Sequence, residues 1–208
     1  MDALYFKEIG DSMRDEENSA FDEPKMINFL NITHDDMLNG NGLRVVLWVK
    51  NCEHHCAQCH NPESWDNSTE GLLFDAFAER EFYEWLSKPW TKGATFSGGD
   101  PLHPLNRDKI GEMTRHIRMF YPGKDIWVYT GYRLEKEGDN FVFSNASGQK
   151  FDISWLENID VLVDGRFEYK TREQDIAQQR NVKWCGSSNQ RVIDVQKTLK
   201  EKAIVQIY

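Results

Sequence analysis

Hydrophobic positions in this chain fall into short runs and spaced stripes, and the spacing names the elements. Residues 43–49, LRVVLWV, are apolar, β-branched or aromatic at nearly every position and follow the turn Asn39-Gly40-Asn41-Gly42, which predicts a buried first strand. Phe74, Phe77, Ala78, Phe82, Trp85 and Leu86 recur at three- and four-residue intervals, the apolar stripe of an amphipathic helix. Residues 94–97 predict a second strand. A second helix follows, with Asn106 as its cap, Ile110, Met113, Ile117 and Phe120 facing inward, and Pro122 as its stop. Residues 126–130 and 161–163 predict further strands, the latter ending in Asp164-Gly165, and 190–195 predict one more. Phe141-Val142-Phe143 and Phe151-Asp152-Ile153 flank SNASGQK, which predicts a hairpin inserted near 141–153, with a helical remnant at 155–158 after it. Strands alternating with helices predict an α/β fold with a mostly parallel sheet, whose ligands belong at the carboxyl ends of its strands.

Length and charge then narrow the functional classes. At 208 residues the chain suits one compact unit, and 26–208 are expected to form a single domain. The 34 acidic and 25 basic side chains leave a net charge of −9, which argues against a nucleic-acid partner, since backbone binding needs clustered Lys and Arg. Residues 1–25 hold eight acids against three bases with no apolar period, and read as a solvated extension, with disorder as one expectation. No apolar run approaches the ~20 residues of a bilayer span, and no secretory leader precedes the domain, so neither a membrane nor export is expected. Three of the four cysteines crowd into eight residues, which points to a metal site in a reducing cytoplasm rather than a disulfide framework.

That crowded stretch is CEHHCAQC, with Cys52, Cys56 and Cys59 spaced C-x-x-x-C-x-x-C three residues beyond the first strand. Three thiolates on one tight loop suit an iron–sulfur cluster or zinc. A four-iron cube usually takes four cysteines, so three would leave one iron open to a chelating amino acid. The alternative is structural zinc, its tetrahedron closed by His54, His55, His60 or the distant Cys185. Cys185 itself reads as a packed residue, as do His34, His103 and His116. The second signal is Gly98-Gly99-Asp100-Pro101 at the end of the second predicted strand. Peptide groups without Cβ can approach a ligand closely, and Asp100 can neutralise an ammonium beside them.

Together these motifs resemble the radical S-adenosylmethionine enzymes. The blocks NGNGLRVVLWV, CHNPESW, FSGGDPLHP, PGKDIWVYTGY, VLVDGRF and WCGSSNQRV, in this order across about residues 26–195, are similar to the activating proteins of anaerobic ribonucleoside-triphosphate reductases. The resemblance implies an incomplete βα barrel of the radical S-adenosylmethionine type. It implies a [4Fe-4S] cluster on Cys52, Cys56 and Cys59 that binds S-adenosylmethionine, with Gly98, Gly99 and Asp100 at the amino group of its methionine end. It further implies reductive cleavage to a 5′-deoxyadenosyl radical and removal of hydrogen from a glycine of the large reductase subunit, with an electron donor such as flavodoxin. The superfamily aromatic before the last cysteine is Gln58 here, which leaves the adenine to backbone or to His60. Asn41 and Cys185 stand where the activating proteins usually carry proline and arginine. Tyr129, Thr130, Asp164 and Ser187 lie near strand ends where a nucleoside would sit. Structural roles are the stronger reading for each, and Tyr129 is kept as a candidate cofactor contact. Another glycyl-radical partner, a small-molecule substrate, or a zinc-stabilised binding module are the alternatives.

Overall fold

The computed structural model describes residues 26–66 and 71–207, so the expected extension over 1–25 lies outside the described residues. Its main sheet has seven strands: β1 (Asn28–Asp36), β2 (Arg44–Val49), β3 (Leu72–Leu73), β4 (Gly93–Gly98), β5 (Asp125–Tyr129), β9 (Val161–Asp164) and β10 (Arg191–Asp194). They are ordered β10-β9-β5-β4-β2-β1-β3. The central four, β2, β4, β5 and β9, are mutually parallel, while β1 and β10 run antiparallel to their inner neighbours. Helices α1 (Ala76–Ser87) and α2 (Arg107–Phe120) enter β4 and β5 respectively. This is the mixed α/β arrangement with a parallel centre that the alternating periodicities predict.

The two faces of the sheet have different fates. Val45, Leu47, Val49, Ala94, Phe96, Ile126, Val128 and Leu162 point to one side, into a core closed by Phe82 and Leu86 of α1 and by Ile110, Met113 and Ile117 of α2. Each such fully buried side chain contributes roughly 1.5–3 kcal/mol. The opposite face carries a smaller cluster of Trp127, Val161, Val163 and Val192, against which Tyr129, Trp184 and Cys185 pack. Parallel register places Trp48 beside Ser97, while the Phe96–Val128 and Tyr129–Val163 pairs align the neighbouring strands. By strand alternation Trp48, Ser97, Tyr129 and Val163 therefore form one row across this second face, at the carboxyl edge.

Several elements differ from expectation. β1 interrupts its own alternation with irregular register between Phe29 and Asn31 and between Thr33 and Asp36, so no period of two marks it. The inserted hairpin does pair, Phe143 with Phe151, but within a three-stranded antiparallel sheet of β6 (Arg133–Glu137), β7 (Asn140–Ser144) and β8 (Lys150–Phe151). Gly138, at positive φ, opens the two-residue turn between β6 and β7. The helical remnant is a single 3-10 turn, Leu156–Asn158. Helix α3 (Tyr169–Ala177) was not foreshadowed, because it carries no apolar stripe and buries only Asp175, and the short α4 (Val195–Glu201) takes over where the last strand was expected to end. Phe77 and Phe120, expected inside, are 70% and 61% exposed.

Candidate active site

The chain leaves β2 at Val49 and winds through the three cysteines with Asn51, His55 and Gln58 all at positive φ. Left-handed backbone costs a side-chain-bearing residue about 1–3 kcal/mol, so this loop keeps its shape only because its surroundings hold it. The anchors are explicit. Gly99 N–H donates to Val49 O at 2.7 Å and Asp100 N–H to Asn51 O at 2.8 Å, laying the Gly-Gly-Asp turn directly against the loop's entry. A Cβ on Gly98 would meet Val49 O at 2.8 Å, and one on Gly99 would meet Asn51 O at 2.7 Å. The paired glycines are therefore required by the cysteine loop's own backbone. Asn106, expected as a helix cap, makes no capping bond: its Nδ2 donates to Lys50 O at 2.6 Å and Asp100 O at 2.8 Å, joining the two motifs.

Asp100 is brought to the loop, but its carboxylate is turned inward and fully buried. His54 Nε2 donates to Oδ2 at 2.7 Å, Gly131 N–H to Oδ2 at 2.9 Å, Leu102 N–H to Oδ1 at 2.8 Å, and Thr130 Oγ1 lies 2.9 Å from Oδ1. Direct neutralisation of a ligand's ammonium is not what this arrangement offers, because four protein donors already occupy the acceptor. His54 and Thr130 are positioning partners that the motif reading passed over or took as routine.

The three thiols lie within electrostatic reach of one another. Burial, with smaller additions from Asp100, Cys56 and Cys59, pushes the Cys52 thiol up to about 12. The sign follows from desolvation, which disfavours the thiolate. At pH 8 the metal-free protein is therefore expected to alkylate at Cys52 about 1,000-fold more slowly than an ordinary exposed cysteine. Peptide mapping after timed iodoacetamide treatment checks this, and the difference narrows as pH rises toward 12.

Among the described residues, no three His, Cys, Asp or Glu side chains converge as ligands of one ion. A zinc ion needs its donors to meet at a point, whereas a four-iron cube takes one thiolate per iron, and its donors need only surround it. Of the histidines that would close a tetrahedron, His54 is bonded to Asp100, while His55 lies edge-on to Trp65 at 5.1 Å and His60 against Phe167 at 5.5 Å. Three free thiols on one wound, anchored loop are a donor set that suits a cluster.

Beside the loop a cavity of about 600 Å³ opens over the second face of the sheet. Cys59 and His60 line it from the loop, Trp48, Ser97 and Tyr129 from the strand ends, and Trp184 and Cys185 from the segment opposite. Tyr129 Oη is buried without a hydrogen-bond partner among the described residues, and burial raises its pKa, so the phenol is a protonated donor facing no acceptor of the protein. Ser97 and Trp48 escaped motif analysis. Their signal was the row itself, an amphipathic and a polar residue at the penultimate positions of β2 and β4. Asp164 and Ser187 have structural duties: Asp164 pairs with Arg191 and accepts from Leu134 N–H at 2.8 Å, and Ser187 Oγ accepts from Glu168 N–H at 3.1 Å.

Residues 38–193 match the family described as a 4Fe-4S single cluster domain, a span that contains the cysteine loop and nearly the whole cavity wall. The anaerobic ribonucleoside-triphosphate reductase-activating protein of Enterobacteria phage T4 is 36% identical over 160 residues, 76% of this chain and 87% of its own length. The Haemophilus influenzae protein of the same name is 36% identical over 166 residues, covering 79% and 96%. That of Escherichia coli K12 is 37% identical over 159 residues, covering 76% and 92%. The chain belongs to the anaerobic ribonucleoside-triphosphate reductase-activating protein family. All four cysteines fall within the matched span, Cys52, Cys56 and Cys59 on the loop after β2 and Cys185 on the cavity wall. No helix among the described residues is long and apolar enough to cross a membrane.

Proposed function

We propose that this protein activates an anaerobic ribonucleoside-triphosphate reductase by generating a glycyl radical on its large subunit. The observation that carries the reading is the placement of a three-cysteine loop at the carboxyl end of β2, opening onto the cavity lined by Cys59, His60, Ser97 and Tyr129. Cys52, Cys56 and Cys59 would hold a [4Fe-4S] cluster, which when bound would supply the single electron for reductive cleavage of S-adenosylmethionine. The hydrogen removed would come from a glycine α-carbon of the reductase, with methionine, 5′-deoxyadenosine and the glycyl radical as products and the electron supplied by a donor such as flavodoxin.

The chain's own residues position and enclose the reactants. The Gly98–Gly99 edge seats the amino group, with Asp100 acting from behind through the backbone it organises rather than through a free carboxylate. Tyr129 offers its unpartnered phenol O–H to the nucleoside, and His60, held on Phe167, provides a flat wall for the adenine. The row of Trp48, Ser97, Tyr129 and Val163 lies on the face that α1 and α2 leave uncovered. This supports an incomplete βα barrel whose short sheet leaves a side open for a loop of the partner. A cytoplasmic setting fits a thiolate-held, oxygen-sensitive centre.

The test is anaerobic reconstitution followed by mixing with reductant, S-adenosylmethionine and the reductase. A glycyl-radical doublet in electron paramagnetic resonance, found with the reductase and absent with an unrelated glycyl-radical protein, is the expected result. A doublet only with the other protein, or S-adenosylmethionine consumed without any protein radical, contradicts the proposal.

A further inference from the structure

Backbone bonds and Asn106 fasten the entry of the cysteine loop to the Gly-Gly-Asp turn, and a buried side-chain pair fastens the C-x-x-x-C arm beyond it. His54 lies between Cys52 and Cys56, and its Nε2 reaches Asp100 Oδ2 at 2.7 Å, the two side chains being 4% and 0% exposed. The imidazole has no room to turn. Tyr132 packs edge-on to it at 4.6 Å between ring centroids, and a Cβ on Gly131 would fall 2.3 Å from His54 Cδ2. The backbone is held as well, since Arg166 Nη2 donates to His54 O at 2.6 Å and Tyr132 Oη donates to the neighbouring Glu53 carboxylate at 2.9 Å. On its other side Asp100 is fixed by Leu102, Thr130 and Gly131, so the pair ties the loop to the carboxyl ends of both β4 and β5.

Loop and turn each hold half of the site proposed above, and neither half alone sets the distance between them. We infer that the His54–Asp100 pair is a positioning device that fixes the C-x-x-x-C arm against the Gly98–Gly99 edge, so that S-adenosylmethionine can span both. This rests on the activase reading but adds to it a specific role for two side chains that touch neither iron nor substrate. Losing the pair leaves the three thiols on the loop and the glycines on the turn. It leaves the loop's entry tied through Val49, Asn51 and Asn106 and frees only the C-x-x-x-C arm beyond, so binding of S-adenosylmethionine suffers more than cluster assembly. Gln restores an N–H at about the reach of imidazole Nε2, whereas Asn in place of Asp100 sets an amide N–H₂ among donors.

The experiment compares native protein, His54→Ala, His54→Gln and Asp100→Asn after anaerobic reconstitution. Readouts are iron and sulfide per chain, thermal melting, and the reduced cluster's electron paramagnetic resonance spectrum titrated with S-adenosylmethionine. Groups that orient metal ligands typically matter by 10- to 100-fold, so His54→Ala and Asp100→Asn are expected to keep iron within about twofold of native while affinity for S-adenosylmethionine falls about 10- to 100-fold. His54→Gln is expected to recover most of that loss. Unchanged titrations in folded His54→Ala and Asp100→Asn overturn the inference. So does equal loss of iron in the folded Ala and Gln variants, which makes the pair part of cluster assembly alone. If the native protein's spectrum ignores S-adenosylmethionine, the activase reading itself has failed, and the two failures are told apart by that control.

Discussion

Cys56→Ala is expected to yield a folded protein without its cluster and with glycyl-radical formation reduced at least about 100-fold, beyond what loss of a supporting residue would cause. Cys56 is the middle of the three thiols and the most buried, at 9% exposure, and its carbonyl accepts Cys59 N–H at 3.1 Å to close the tight second half of the loop. Alanine keeps that backbone bond but leaves the loop two thiolates. His54 is bonded to Asp100, and His55 and His60 rest on aromatic rings. Iron and sulfide analysis with the visible absorption spectrum reads the result. Cys185→Ala is the matched control and is expected to retain native iron, because Cys185 packs with Trp127 and Tyr129 on the sheet face. Should Cys185→Ala lose its cluster while Cys56→Ala keeps it, the ligand set is wrong.

The largest expected stability loss lies at the other end of the sheet. Arg44 opens β2 with a guanidinium that is 0% exposed. Its Nε donates to Thr95 Oγ1 at 2.6 Å, Nη2 to Ala94 O at 2.7 Å, and Nη1 to Asn41 O at 3.1 Å, while Nη1 pairs with Asp125 Oδ1 at 2.6 Å. Burial lowers the Arg44 pKa and raises that of Asp125, each partly offset by the other. Such a pair gives little net stability over an apolar substitute, but removing one member strands the other. Arg44→Ala is therefore expected to cost about 3–5 kcal/mol, measured by denaturant unfolding of the metal-free protein. In Arg44→Met with Asp125→Leu, much of that loss should return. Because the folded Asp125 pKa is raised, the folded state holds its proton more tightly, so Asp125 favours folding more as pH falls through its titration. An Arg44→Ala loss below about 1 kcal/mol would mean that the guanidinium is not the tie its bonds describe.

What could be read from the sequence follows from how strongly each residue's duty shows in its own neighbourhood. β2, β5 and β9 announced themselves through short, mostly apolar and β-branched or aromatic runs, as strands covered on both faces do, and β4 through its place between the two helical stripes. β6 was invisible because RLEKE buries only Leu134, its pairing with β7 being carried by backbone. Phe77 and Phe120 kept helical spacing yet face outward, since a stripe defines a face and not its width. The three cysteines were legible as a centre because their spacing is chemical. The glycines were legible as special positions but for a different reason than expected, since the body they admit at close range is the loop itself. His54 could not be found by spacing. Its meaning depends on Asp100, 46 residues away, and only the fold brings them together.

The most direct measurement follows a hydrogen atom. Reductase grown on glycine carrying two α-deuterons is mixed anaerobically with the reconstituted protein, reductant and S-adenosylmethionine, and the 5′-deoxyadenosine is weighed by mass spectrometry as the protein radical appears. The account predicts one deuterium per 5′-deoxyadenosine, in step with the radical formed. Unlabelled 5′-deoxyadenosine accompanying a full yield of protein radical would contradict it.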